Sequence, residues 1–304
     1  MDEQRNTLIV NGNIIQLIYS DAPDKVDYTK YDIHNAVVVD NTGIWRDRKG
    51  LSRHLRAPGC TTVLLTAPAK GDVPNIVMGV NADEYMNDSE NIFSAASCST
   101  NAVTPVIQLI DQKYGLVSGH IETVHSFTND QNLIDNYHSK KRRGRSAVLN
   151  MVLTETGAGK AVTKCLPHLK GKLTANAVRV PTPNVSMALL VLNLKKGTTK
   201  EEVNRYLQLN ATQGQLQHQL DFSTSTEAVS SDFVGTRAPA IVDGPSSLVS
   251  TNGKVLNLYI WYDNENGYSC QVIRLLEKIC GIVHPVCPVA TESANPTPVL
   301  KAKL

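Results

Sequence analysis

Residues 94–106 read SAASCSTNAVTPV, and the pattern of the chain changes at Cys98. From that point Val103, Val106, Ile107 and Ile110 fall on one face of a helix, with Pro105 near its first turn and Gly115 at its expected end. Upstream, short apolar runs alternate with polar or helical stretches such as RDRKGLSRHL. The runs are AVVVD at 36–40, TVLLT at 62–66 and IVMGV at 76–80. That alternation predicts parallel strands of an α/β sheet. Ahead of them, TLIV and IIQLIY flank Asn11-Gly12-Asn13 and predict a tight antiparallel hairpin, because Asn and Gly both tolerate positive φ. Downstream the chain is rich in strand signals: IETVHSF, LTANAVRV, VSMALLVLNL and VLNLYIWY. Helices are expected near 157–168, 199–209 and 267–280. The proline-rich end, 282–304, has no periodicity and is expected to be a flexible tail.

The bulk properties bound the function. The 304 residues, 41% apolar, suffice for two domains with substantial cores. A net charge of +2 offers no general attraction to nucleic acid or membrane. Neither a basic leader nor an apolar run of membrane-spanning length is present, which predicts an intracellular, cytoplasmic protein. Six cysteines, at 60, 98, 165, 270, 280 and 287, form no CxxC pair, so most are expected to be free thiols.

Ser97-Cys98-Ser99-Thr100-Asn101 sits where a strand runs into a helix. A cysteine there faces free backbone N–H groups and the positive end of the helix dipole, which favour thiolate and can stabilise an oxyanion. A depressed Cys98 pKa is therefore expected. On these five residues alone, a buried cysteine beside a Ser/Thr cap explains the pattern as well. His125, inside a predicted strand, could project toward the helix start; taken singly, such a residue is more often a structural histidine.

Three other motifs carry less. Lys140-Lys141-Arg142-Arg143-Gly144-Arg145 is a basic run in a near-neutral chain, usually a solvated loop. Gly157-Ala158-Gly159-Lys160 lacks both the leading glycine spacing of a phosphate loop and its Ser/Thr, since Ala161 follows. Asp263-Asn264-Glu265-Asn266-Gly267 lacks the distal glutamate of a calcium loop, so no metal site is expected.

Five ordered segments together resemble the catalytic segments of phosphorylating glyceraldehyde-3-phosphate dehydrogenases. They are SAASCSTNAVTPV, ETVHSFTNDQ at 122–131, TETGAGKAV at 154–162, VRVPTPNVS at 178–186 and WYDNENGYS at 261–269. The resemblance reaches about residue 280. It implies an incomplete Rossmann-type dinucleotide-binding domain over 1–97 and a mixed-sheet α+β catalytic domain over 98–263. A helix over 264–281 would return to the first domain.

By the same resemblance, Cys98 is the nucleophile and His125 its base. Thr128 and Arg179 would meet the phosphate of glyceraldehyde 3-phosphate. Ser97, Ser99, Thr156, Gly157 and either Arg142 or Arg143 would meet the attacking inorganic phosphate. Asn264 would hold the carboxamide of NAD or NADP, and Thr42 and Thr66 would border its nicotinamide ribose. A homotetramer is implied, with 140–145 near a subunit contact. Erythrose-4-phosphate dehydrogenase is a close alternative, and a non-catalytic interaction protein a more distant one. The glycine-rich turn and acidic ribose ligand that open this family are not found in 1–304, so the expectation is an N-terminally shortened chain with weakened cofactor binding.

Overall fold

A computed structural model describes residues 6–86, 89–282 and 284–285, which divide into two compact units. The first comprises 1–76 and 84–96; the second comprises 77–83 and 97–304. Most of the tail expected to be flexible lies outside the described residues.

The first unit opens with the expected hairpin, β1 (Thr7–Val10) and β2 (Asn13–Gln16), in antiparallel register with Val10 opposite Asn13. Asn11 at φ 49° and Gly12 at φ 80° make the turn, the two positive values that a tight primed turn requires. Its core is a parallel sheet ordered β3 (Ala36–Asp40), β4 (Cys60–Leu65) and β5 (Ile92–Ser94). A single helical turn, α1 (Arg48–Leu51), capped by Asp47, lies between β3 and β4. Leu51, Val63, Leu65 and Ile92 pack together as the buried core.

IVMGV at 76–80 is not a strand, which corrects the sequence expectation. It forms a turn that buries Ile76 and Val77, with the Asn81 side chain accepting the Val77 N–H at 2.9 Å. Gly79, at φ 74°, has no room for a β-carbon, which would meet Leu216 Cδ2 at 2.7 Å. A short apolar run shows only that a segment is buried, and buried turns share that signature. The third parallel strand is instead β5, after the one-turn helix α2 (Ala82–Tyr85).

The second unit is built on α3 (Cys98–Tyr114) and a long mixed sheet. Its strands are β6 (Leu116–Ser126), β7 (Val152–Thr154), β8 (Leu173–Val180), β9 (Ser186–Leu194), β10 (Asp221–Ser223), β11 (Ile241–Asp243), β12 (Leu248–Val249) and β13 (Val255–Tyr262). The order is β10-β11-β13-β9-β6-β8-β7, with β12 pairing β13. Alternation along β9 buries Ala188, Leu190 and Leu192, and along β13 Leu256, Leu258 and Ile260. That face packs with α3, α4 (Ala158–Cys165) and α5 (Lys200–Thr212) in one core. The last helix, α6 (Asn266–Ile279), packs against α3. Pro105 lies inside α3, beyond the first turn where it was expected; its ring removes one intrahelical donor, while the flanking Val103, Val106 and Ile107 are completely buried.

Candidate active site

The second unit gathers a thiol, an imidazole and two guanidinium groups at the strand ends around the start of α3. Ser97 caps this helix: its hydroxyl accepts the Thr100 N–H at 3.2 Å and pairs with the Thr100 hydroxyl at 2.7 Å. The residue before it, Ala96, adopts φ 57°, a left-handed conformation that a non-glycine residue adopts only under local constraint. Cys98 thus occupies the first helical position.

The Cys98 sulfur lies 3.6 Å from His125 Nε2. His125 is near the end of β6, 7% exposed, and its Nδ1 is 2.7 Å from the Ser126 carbonyl. A carbonyl can only accept, so Nδ1 carries the proton and, in the neutral ring, Nε2 presents a lone pair to the sulfur. Burial pushes the His125 pKa down to about 4, and the Arg179 guanidinium adds to that effect against the opposing Ser126 carbonyl and Asp130 carboxylate.

Burial also raises the Cys98 thiol pKa, and hydrogen bonds from Ser99 with the charge of Arg179 only partly offset it. The depressed Cys98 pKa expected from helix position is therefore corrected: desolvation of the charged sulfur outweighs the helix start. Burial thus favours the neutral thiol and the neutral imidazole in this pair.

Two tyrosines and a serine complete the surroundings of the sulfur. Ser99 Oγ is 3.9 Å from it and 3.2 Å from the Tyr262 hydroxyl. Tyr262, completely buried, stands edge-on to the His125 ring at a centroid separation of 5.9 Å. Burial and the neighbouring Cys98 raise the phenol pKa of both Tyr262 and Tyr268, so both stay protonated. Neither tyrosine was legible as a site residue: Tyr262 ends an apolar strand and has the signature of core, and Tyr268 lies in the first turn of α6.

Strand register sets the neighbours of Arg179. In the parallel β6–β8 pairing, His125 stands opposite Arg179. Arg179 Nη1 donates to Thr128 Oγ1 at 2.6 Å and lies 3.7 Å from Asp130 Oδ1. Arg143 pairs with the other Asp130 oxygen and donates through Nη2 to Thr154 Oγ1 at 3.1 Å. Asp130, which sequence reasoning passed over, therefore holds both guanidinium groups and accepts from Thr128. Its pKa lies below the ordinary carboxylate range: burial works to raise it, and the Thr128 bond with the two arginines outweighs burial.

Of the other residues implied as phosphate ligands, Arg142 is exposed and donates to the Leu153 carbonyl at 3.4 Å. Thr156 accepts the Ala158 N–H at 3.2 Å, and Gly157 is the N-cap residue just before α4. None of these three is joined by hydrogen bond or ion pair to the Cys98–His125–Arg179 group among the described residues. Asn264 is buried, its Oδ1 accepting from Ser186 at 2.9 Å. Ser186 also accepts the Ser126 N–H at 3.1 Å, which ties Asn264 to the strand that carries His125. In the first unit, Thr42 is exposed and Thr66 partly buried, at the carboxyl ends of β3 and β4. Among the described residues no cluster of His, Cys, Asp and Glu could hold a metal.

Residues 97–264 match the family model for the C-terminal domain of glyceraldehyde 3-phosphate dehydrogenase, more than half of the chain. The chain belongs to the glyceraldehyde 3-phosphate dehydrogenase family. A glyceraldehyde-3-phosphate dehydrogenase-like protein of Pseudomonas aeruginosa (strain UCBPP-PA14) is 57% identical over 288 residues, covering 95% of this chain and 62% of that protein. Glyceraldehyde-3-phosphate dehydrogenase 2 of Nostoc sp. (strain PCC 7120 / SAG 25.82 / UTEX 2576) is 42% identical, covering 90% of this chain and 80% of the relative. The corresponding Bacillus subtilis (strain 168) enzyme 2 is 41% identical, covering 92% and 81%. The chain thus spans less than two thirds of the Pseudomonas relative. The matched family segment holds Cys98, His125, Thr128, Arg179 and Asn264. No helix among the described residues is long and apolar enough to cross a membrane.

Proposed function

We propose that this chain carries the acyl-forming centre of an aldehyde dehydrogenase that oxidises glyceraldehyde 3-phosphate and passes the acyl group to inorganic phosphate. The observation that carries this reading is the 3.6 Å approach of His125 Nε2 to the Cys98 sulfur beside the Arg179–Thr128 pair. In the first step His125 Nε2 takes the thiol proton while sulfur bonds to the aldehyde carbon. The carbonyl electron pair moves to oxygen, which receives the proton from His125, giving a hemithioacetal. N–H groups at the start of α3 would stabilise the developing oxyanion.

When bound, a nicotinamide cofactor supplies the hydride acceptor. His125 Nε2 then takes the hemithioacetal hydroxyl proton as hydride leaves carbon, and a Cys98 thioester remains. An oxygen of inorganic phosphate adds to its carbonyl, the carbon–sulfur bond breaks, and the sulfur departs as thiolate and takes back the proton held on His125 Nε2 as 1,3-bisphosphoglycerate is released. Ser97, Ser99, Thr156, Gly157 and one of Arg142 or Arg143 are assigned to the attacking phosphate, and Thr128 with Arg179 to the substrate phosphate. Hydroxyls, backbone N–H groups and guanidinium forks suit phosphate oxygens. Asn264 suits a carboxamide, because its own amide is held by Ser186 and can both donate and accept. Thr42 and Thr66 stand at strand ends of the kind where parallel sheets take nucleotides. The cofactor assigned is NAD or NADP.

The sheet face opposite α3, α4 and α5 leaves Met187, Leu189, Val191 and Tyr259 only partly buried, and Ile134, Leu149 and Met151 are over three-quarters exposed. Both features support a homotetramer. Reduced-nicotinamide formation from glyceraldehyde 3-phosphate, with and without inorganic phosphate, tests the functional reading. Phosphate-dependent turnover is expected at cofactor concentrations high enough to offset the weakened binding; equal or better turnover of erythrose 4-phosphate, independent of phosphate, would overturn the substrate and acceptor assigned.

A further inference from the structure

Thr42 and Thr66 are both tied to Asp40. The Asp40 carboxylate accepts from Thr42 twice through Oδ1, from its N–H at 2.8 Å and from its hydroxyl at 2.7 Å. The Asp40 main-chain carbonyl accepts from Thr66 twice, from its N–H at 3.0 Å and from its hydroxyl at 3.2 Å. The remaining carboxylate oxygen, Oδ2, lies 3.0 Å from Nε2 of His54. Asp40 is 2% exposed and His54 7% exposed, so this arrangement is built into the core of the first unit.

The chemistry of the hydroxyls follows from these bonds. A hydroxyl has one proton to donate and two lone pairs to accept with. Both threonines have spent their proton on Asp40. Thr42 Oγ1 also accepts the Ile44 N–H at 3.3 Å, which leaves it one lone pair; Thr66 keeps two. Toward a ligand, both present acceptors only. The nearby Asp40 charge strengthens that polarity, since an anion approaching the threonines meets lone pairs and a carboxylate.

His54 holds the carboxylate in place. A carboxylate oxygen only accepts, so Nε2 carries the proton, and Nδ1 is buried without a partner. The ring is fixed from the side by Trp45, which stands perpendicular to it at a centroid distance of 5.6 Å. An unsatisfied buried ring nitrogen is costly, and its retention here accompanies a donor aimed at Asp40.

We propose that Asp40, held by His54, is a positioning residue that fixes Thr42 and Thr66 as hydrogen-bond acceptors and so makes this end of the parallel sheet select a hydroxyl-bearing sugar of a nucleotide over its phosphates. The proposal deepens the assignment of these threonines to a nicotinamide ribose and rests on it. Thr42 and Thr66 would touch the sugar; Asp40 and His54 act through them.

The test is an amide-resolved NMR titration of the full chain with nicotinamide mononucleotide and, separately, with its 2′,3′-dideoxy analogue. Saturable shifts at Thr42 and Thr66 are expected with the first compound, and roughly tenfold weaker binding with the second, the effect of losing hydrogen bonds from two sugar hydroxyls. Asp40→Ala, which removes the carboxylate that holds Thr42 and keeps the main-chain carbonyl that holds Thr66, should weaken that preference, and His54→Phe, which keeps a ring against Trp45, should reduce it even if the alanine variant does not fold. Thr42→Ser should keep it. Equal binding of the two compounds, no shift at either threonine, or an undiminished preference in His54→Phe would overturn the proposal. Iodoacetamide labelling of Cys98 and acyl-enzyme formation report on the thiol chemistry separately, so failure there is distinguishable from failure here.

Discussion

His125 Nε2 faces the Cys98 sulfur at 3.6 Å while its Nδ1 is committed to the Ser126 carbonyl. Backbone therefore fixes the tautomer, and the tautomer makes His125 a proton acceptor toward the thiol. The consequences can be measured.

Folding stability should fall with acid through His125. Its ordinary pKa of 6.5 drops to about 4 in the folded state, so between those values the unfolded chain binds the extra proton. The contribution is fully present above about pH 6.5 and is lost as pH falls toward the folded value, amounting to at most about 3 kcal/mol. Thermal unfolding followed across this range should show the loss, and His125→Asn should flatten that part of the profile. An unchanged slope in the variant would mean that other groups cause the acid effect.

Cys98 alkylation by iodoacetamide should climb steadily through neutral and alkaline pH, without an early thiolate plateau, because burial raises the thiol pKa above the ordinary 9.0. Peptide mapping separates Cys98 from exposed Cys280. Arg179 lowers the Cys98 pKa, so Arg179→Ala should slow labelling at a fixed alkaline pH. A rate already constant near neutrality would show that the resting site holds a thiolate–imidazolium pair.

Much of this was readable in the sequence, and the misses have physical causes. LTANAVRV and VLNLYIWY became β8 and β13 with unchanged bounds, because alternating side chains face a helix layer on one side of the sheet. IVMGV was misread because burial of an apolar run does not distinguish strand from turn. Asp130 was invisible because its two arginines come from different segments, brought together by the register of β8 beside β6. The Cys98 pKa reversed because helix position is local and sequence-encoded, whereas desolvation depends on what packs over the sulfur.

Arg179→Ala should weaken use of glyceraldehyde 3-phosphate by roughly 1.5–3 kcal/mol in kcat/KM, the range for a charged hydrogen bond, and affect unphosphorylated glyceraldehyde far less. Steady-state comparison of the two aldehydes reads the difference directly. Equal losses on both would assign Arg179 to holding Asp130 and Thr128 in the fold.

The chain should assemble. Light scattering at micromolar concentration is expected to give a mass four times that of the 33.1 kDa chain. Ser substitutions at the exposed Leu149 and Met151 should shift the distribution toward smaller species if this loop lies in an interface. A wild-type monomer at that concentration would contradict the homotetramer.

The most direct test of Cys98–His125 chemistry is to trap the acyl enzyme. Incubating the chain with glyceraldehyde 3-phosphate and NAD or NADP, in the absence of inorganic phosphate, should add a phosphoglyceryl group to the Cys98 peptide by mass spectrometry. Adding phosphate should remove it, and His125→Asn should slow its formation roughly 10²–10⁴-fold. An acyl group on another cysteine, or Cys98 acylation at an unchanged rate in the His125 variant, would contradict the account.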